Sequence, residues 1–122
     1  MRHGPLAFGP LSSGPLDPDL TSSWMQPLAT KAIRRDLAKF ARHVHPRVLL
    51  DAASRFSQFT GPVRIVWGED DPFFRIRLGQ QLSEAFPHAS LTTVPAGRTF
   101  LPLDHPDVVA SEIAAAAYDA AP

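Results

Sequence analysis

Three consecutive acids, Glu69, Asp70 and Asp71, offer the clearest potential chemistry in the sequence. They follow Gly68, which ends the β-branched and aromatic run from Val63 to Trp67, a pattern typical of a buried strand. A carboxylate fixed at the carboxyl end of a strand can accept the Nδ1 proton of an imidazole and stabilise the imidazolium. The pattern therefore predicts an acid site at a strand end.

A helix, a second strand and a last helix follow this acid turn. Pro72 suits the first turn of a helix that is predicted to run to Phe86, and residues 90–94 form the second predicted strand. Pro106 opens the last helix. Strand, helix, strand and helix in this order form a βαβ unit, whose strands are parallel. Residues 61–122 are therefore predicted to be α/β, with two short parallel strands and flanking helices.

The first half of the chain is predicted to be helical after a disordered start. Residues 1–18 contain Gly-Pro-Leu three times at a spacing of five, which disfavours helices and sheets and predicts a disordered arm. Residues 19–60 are interpreted as a helical region. A short helix should extend through Trp24, a second from Lys31 to His43 with an apolar stripe of core width, and a third from Arg47 to Gln58.

Charge and composition exclude several classes of protein. The net charge is zero, but residues 1–60 carry +4 and residues 61–122 carry −4, which is compatible with two modules. Without a net basic excess the chain lacks the electrostatic signature of a nucleic-acid binder. Disulfides and zinc-thiolate sites are excluded because there are no cysteines. No apolar run is long enough for a membrane span or a signal peptide, so we expect a soluble, cytoplasmic protein without a membrane partner.

The segment from Gly61 to Pro72 reads Gly-Pro-Val-Arg-Ile-Val-Trp-Gly-Glu-Asp-Asp-Pro. This segment resembles the late strand and acid turn of the α/β-hydrolase family. In that family a Gly-x-x-Asp turn, often followed by proline, carries the aspartate that orients the catalytic histidine. The turn from Gly68 to Asp71 matches this pattern, which implies that Asp71 is the acid. The resemblance continues to the last helix and implies a partial α/β-hydrolase fold.

The family's histidine lies in the loop after the last strand. Alignment on Phe100 and on the Asp104 to Pro106 end of that loop places Thr99 at the histidine position, and threonine cannot shuttle a proton near neutral pH. His105 is an alternative, displaced base, although its position at the start of the last helix favours a capping or surface role. A nucleophile elbow of the Gly-x-Ser-x-Gly type, or its aspartate variant, does not occur in these 122 residues.

The resemblance implies hydrolysis of an ester, an epoxide or a carbon–halogen bond. Because the triad is incomplete, we expect no triad hydrolysis from this chain alone, and a small-molecule substrate only if other segments complete the site. The helices before the acid strand resemble the cap helices that roof the active site in some family members. By this resemblance Trp24 and Phe40 are candidate substrate-pocket residues, with ordinary core packing as the alternative.

Two other hypotheses remain open. The chain could be a non-catalytic module that binds another chain or self-associates through an open strand edge and apolar helix faces, or a marginally stable product of a truncated gene.

We expect no cofactor. His43 and His45 do not share a helical face and have no third ligand nearby in sequence, and the pair Asp70 and Asp71 is an equally weak candidate, so no metal site is expected.

Overall fold

A computed structural model describes residues 8–119 of the chain as a mixed α/β structure with two parallel strands in one sheet. The fold class is thereby confirmed at that level. The strands are β1 (Val63–Gly68) and β2 (Ala89–Val94), and the helices are α1 (Pro18–Met25), α2 (Lys31–His43), α3 (Pro46–Ala53), α4 (Ile76–Ala85), α5 (Leu101–Asp104) and α6 (Pro106–Asp119). Short 3-10 turns cover Gly9–Leu11, Gln26–Ala29 and Phe56–Gln58. Within residues 8–119 the helices all fall short of the length and apolarity that a membrane crossing requires.

The helices of the first half follow the predicted pattern, with one correction. Helix α1 is capped by Asp17, whose side chain accepts a hydrogen bond from the Asp19 N–H at 2.8 Å. Helix α2 has the predicted bounds. The helix predicted to reach Gln58 instead ends at Ala53, where the Ser54 hydroxyl donates to the Asp51 carbonyl at 2.8 Å. Such local side-chain bonds compete with helix continuation.

The apolar stripes of α2 and α3 are exposed to solvent, contrary to the core packing that was predicted for α2. Phe40 is 68% exposed and Val48 is 64% exposed. Among the described residues α2 contacts mainly the 3-10 turn before it, where Arg34 donates hydrogen bonds to the carbonyls of Leu28 and Ala29. Periodicity thus identified the helix correctly, but it did not identify a partner for its apolar face.

Helices α4 and α6 cover opposite faces of the sheet. The strands pair in parallel with Val63 opposite Ala89 and Gly68 opposite Val94. Successive side chains of a strand point to opposite faces, so Trp67 and Arg64 lie on different sides. Trp67 packs on Gly79 of α4, whereas Arg64 forms ion pairs with Glu112 and Asp119 of α6. The parallel unit is therefore layered as helix, sheet and helix.

The apolar core of the described chain is small. Its buried hydrophobic residues are Ile65 in the middle of β1, Val94 at the end of β2 and Leu101 of α5. Leu101 belongs to a helix that was not predicted and that contacts both β1 and α6. Asp71 is itself buried, so several of the buried residues of the described chain lie around the acid turn.

Residues 8–17 have a defined path, although they belong to the segment predicted to be a disordered arm; residues 1–7 of that segment lie outside the described part. The Phe8 ring packs edge-on against Trp24 at 5.4 Å between centroids, and Trp24 packs in the same way on Phe100 at 5.5 Å. The Phe100 N–H donates to the Leu11 carbonyl at 2.8 Å. Aromatic contacts of this size offset part of the entropy cost of ordering a proline-rich segment.

Candidate functional site

The turn after β1 and the loop after β2 are joined backbone to backbone. The Glu69 N–H donates to the Val94 carbonyl and the Asp70 N–H to the Gly97 carbonyl, each at 3.0 Å. Gly68 makes this approach possible, since a Cβ added there would lie 2.3 Å from the Gly97 carbonyl oxygen. The glycine of the acid turn is thus required by the close contact of the two chain segments.

The second loop begins with a tight turn that aims it back at the acid. The Gly97 N–H donates to the Val94 carbonyl at 3.0 Å, which closes a four-residue turn with Pro95 at its second position. Ala96, at the third position, has φ +56°, a region that a residue with a Cβ seldom adopts. This turn places Thr99 beside the side chain of Asp71.

Both oxygens of the Asp71 carboxylate accept hydrogen bonds just after the end of β1. Its Oδ1 accepts the N–H groups of Phe73 and Phe74, both at 2.8 Å, and its Oδ2 accepts the Thr99 hydroxyl at 2.6 Å. Arg75 has a non-helical ψ of 145° and stands at the N-cap position, so α4 begins at Ile76, which corrects the prediction of a helix starting at Pro72. Sequence comparison predicted that Asp71 and Thr99 would meet, and the structure places them in direct contact.

Asp71 is 8% exposed, and its surroundings favour the ionised form. Burial by itself raises the pKa of a carboxyl group, because it removes water from the charged form. The hydrogen bonds from Thr99, Phe74 and Phe73 outweigh this effect, and the positive charge of Arg98 adds to them, so the pKa of Asp71 lies below its ordinary value. At neutral pH the site therefore presents a fixed negative charge.

A pocket of about 160 Å³ opens beside this carboxylate. Its polar lining comes from Asp71, Thr99 and Arg98, and aromatic side chains contribute through Trp67 and Phe74. The indole N–H of Trp67 donates to the Phe74 carbonyl at 2.7 Å, which fixes the orientation of that ring. The pocket combines one buried acid with apolar walls, and its volume suits only a very small ligand.

The two residues predicted to line a substrate pocket lie elsewhere in the described chain. Trp24 packs between Phe8 and Phe100 and is 38% exposed. Phe40 lies on the exposed face of α2. Neither belongs to the lining of the pocket beside Asp71. Their assignment to a substrate site stays a prediction from the resemblance alone.

His105 lies at the junction of α5 and α6, as its position in the sequence indicated. Its carbonyl accepts the Val109 N–H at 3.3 Å in the first turn of α6, and its Nε2 is buried without a hydrogen-bond partner among residues 8–119. The hydrogen bonds of Asp71 come from Thr99 and two backbone amides, and none comes from His105.

One polar cluster was not predicted. Asp104 accepts the Ser12 hydroxyl at 2.6 Å through Oδ1, and the Ser13 N–H at 2.7 Å and hydroxyl at 2.9 Å through Oδ2. Burial would raise the pKa of Asp104, but these hydrogen bonds and the nearby charge of His105 lower it below its ordinary value. Ser12 is only 2% exposed. The one sequence signal was a pair of serines, both hydrogen-bond donors, between two Gly-Pro-Leu repeats.

The arrangement can hold a negative charge, orient a hydrogen-bond donor and bind a small ligand, since a carboxylate at this position is fixed in direction and ionised. Within residues 8–119 no three His, Asp or Glu side chains are grouped closely enough to hold a metal ion. No protein-family model, curated protein or solved structure matches the chain. Its function is therefore inferred from the geometry around Asp71.

Proposed function

We propose that this chain is the acid-bearing closing part of an α/β-hydrolase-type fold, with Asp71 as the acid and Thr99 in the place of the base. The observation that supports the proposal is the 2.6 Å hydrogen bond from the Thr99 hydroxyl to Asp71 Oδ2. It joins the turn after β1 to the loop after β2, as an imidazole in that loop would do. The substrate classes that the resemblance implies are an ester, an epoxide or a carbon–halogen compound.

The proposed acid would act on a base rather than on a substrate. A carboxylate in this role fixes the tautomer of an imidazole and stabilises its charged form, while a separate nucleophile attacks the substrate. Threonine provides a hydroxyl at the base position but cannot act as a general base near neutral pH, because it does not titrate there. Hydrolysis by this mechanism would need a base and a nucleophile in addition to Asp71. This chain alone is therefore proposed to be catalytically inactive.

The substitution Thr99→His tests whether Asp71 is placed to serve a base. An imidazole that donates its ring N–H to the ionised Asp71 should have a pKa about one unit above the ordinary histidine value of about 6.5, because the carboxylate stabilises the imidazolium. The pKa is measured by following the histidine ring protons by NMR as the pH is varied. In Thr99→His combined with Asp71→Asn the rise should disappear. An imidazole whose pKa does not depend on Asp71 would count against the proposal.

A hydrolysis assay tests whether the unmodified chain is catalytically inactive, as proposed. Purified protein should turn over an activated ester no faster than Asp71→Asn protein does, because the unmodified chain already lacks the base and the nucleophile that the acid would serve. Turnover that is substantially lost in Asp71→Asn would show that this chain assembles a working site by itself. That result would contradict the proposed role.

A second candidate function is self-association through the exposed apolar faces of α2 and α3. Phe40 and Val48 stand on those faces and expose about two thirds of their surface. The net charges of +4 and −4 on the two halves of the chain favour an arrangement in which the basic half of one copy meets the acidic half of another. Sedimentation velocity of the full chain distinguishes the candidates, since Phe40→Glu should convert a dimer into a monomer. A wild-type chain that is monomeric across the concentration range would exclude this candidate.

A further inference from the structure

The pocket beside Asp71 has the size of one aromatic ring. Its volume is about 160 Å³, and an apolar cavity of about 150 Å³ in another protein holds a benzene molecule. Trp67 and Phe74 contribute aromatic surface to the lining, and Val66 contributes aliphatic surface. The indole of Trp67 is held in place by its hydrogen bond to the Phe74 carbonyl, so this wall is formed before any ligand arrives.

The charges at the pocket favour a cation over an anion. Asp71 Oδ1 already accepts two N–H groups, but Oδ2 accepts only the Thr99 hydroxyl and can accept a second donor. Glu69 and Asp70 lie on the same turn and add negative charge. The one positive group in the lining is Arg98, whose side chain donates to the Ser12 carbonyl at 3.3 Å. The acid turn and the lining together carry two more negative than positive charges.

We propose that this pocket binds a small aromatic ammonium compound, with the ammonium group at Asp71 Oδ2 and the ring against Trp67 and Phe74. An ammonium group supplies the hydrogen-bond donor that Oδ2 can still accept, and aromatic faces attract a cation in addition to packing on the ring. Binding of this kind involves no proton or bond transfer. It depends on the cavity and the free acceptor position, and it does not require the proposed relationship to hydrolases.

Benzylamine is a suitable probe, with benzyl alcohol as its neutral counterpart of equal size and benzoate as an anionic aromatic. Each is titrated into the full ¹⁵N-labelled chain at pH 7, and amide shifts around Thr99 and Phe74 are followed by NMR. Benzylamine should bind at least about tenfold more tightly than benzyl alcohol, as expected for a hydrogen bond between charged partners. Equal affinity for the two compounds, tighter binding of benzoate, or no shift with any of them would overturn the proposal.

Two substitutions of the same type locate the charge that matters. Asp71→Asn should weaken benzylamine binding about tenfold, whereas Asp70→Asn, which removes one charge from the same turn outside the pocket lining, should change it by less than about threefold. A thermal melt of each variant confirms that it is folded. Equal losses in the two variants would show general attraction to the acidic turn and would overturn the assigned site.

A variant with the opposite expected sign keeps the test informative even if Asp71→Asn does not fold. Arg98→Gln removes the one positive charge from the lining, so benzylamine should bind several-fold more tightly. Unchanged or weaker binding in Arg98→Gln would overturn the proposal, because a cation held at Asp71 must bind more tightly when the neighbouring positive charge is removed. The outcome does not depend on the Thr99→His titration, so this proposal and the proposed function can fail separately.

Discussion

Replacement of Gly68 by alanine should separate the two loops that form the site. A Cβ at this position would lie 2.3 Å from the carbonyl oxygen and 2.4 Å from the carbonyl carbon of Gly97, and 2.7 Å from the Arg98 nitrogen. Ordinary van der Waals contact needs at least 3.4 Å. All three atoms belong to the backbone, so no side-chain rotation relieves the contact. The loop after β2 must therefore move by about 1 Å.

The cost of that movement can be worked out from the contacts it disturbs. Overpacking of a rigid neighbour costs about 1–3 kcal/mol. The displaced Gly97 carbonyl oxygen accepts a hydrogen bond from the Asp70 N–H, and the loss of this hydrogen bond adds about 1 kcal/mol. Gly68→Ala should therefore lower the free energy of unfolding by about 2–4 kcal/mol. For a chain with few buried side chains this is a large part of the total.

Urea denaturation followed by circular dichroism measures the change, with Gly14→Ala as the matched control. No heavy atom lies within 4 Å of a Cβ at Gly14, so this variant should differ from wild type by less than about 0.5 kcal/mol. The Thr99 amide should also shift in the NMR spectrum of Gly68→Ala, because its loop moves away from Asp71. If the two alanine variants were equally stable, the backbones would not be in contact, and the described site geometry would be refuted.

Three further predictions concern stability. The pKa values of Asp71 and Asp104 both lie below the ordinary value, so the stability that these groups contribute is complete above the unfolded pKa of about 4. This stability is lost as the pH falls through the lower pKa values of the folded state. The melting temperature should therefore fall in that acidic range, and it should fall less steeply in Asp104→Asn. Gly79→Ala should destabilise by up to about 2 kcal/mol in urea, since its Cβ would lie 2.8 Å from the Trp67 ring and an overpacking cost of about 1–3 kcal/mol is offset by only about 1 kcal/mol of helix propensity. Phe40→Ser should change the monomer's unfolding free energy by less than about 1 kcal/mol, because 68% of the Phe40 surface is already exposed, and a larger loss would mean that α2 is packed.

Local sequence signals were sufficient where a single segment decides its own structure. Apolar residues at helical spacing, with Thr30 before them and Pro46 after them, indicated the bounds of α2 that the structure shows. The β-branched run before Gly68 indicated β1 in the same way. The contact between Asp71 and Thr99 was also anticipated, but it required the resemblance to a known turn and loop, since nothing local relates two residues 28 positions apart.

Features that depend on distant partners could not be predicted. The bonds of Ser12 and Ser13 to Asp104 join residues more than 90 positions apart, and they convert part of a Gly-Pro-rich segment into a packed one. The start of α4 depends on the non-helical backbone of Arg75, which helix propensities do not encode. Periodicity likewise indicates which face of a helix is apolar, but not whether another element covers it.

The hydrogen bond between Thr99 and Asp71 is the central claim, and the pKa of Asp71 tests it most directly. Carbon-detected NMR of the labelled side-chain carboxyl, followed as the pH is lowered, reports this one group. The wild-type pKa should lie below the ordinary aspartate value of about 3.9, and Thr99→Val should raise it, because the variant loses the hydroxyl that stabilises the charged form. A wild-type pKa at or above that value, unchanged in Thr99→Val, would contradict the account.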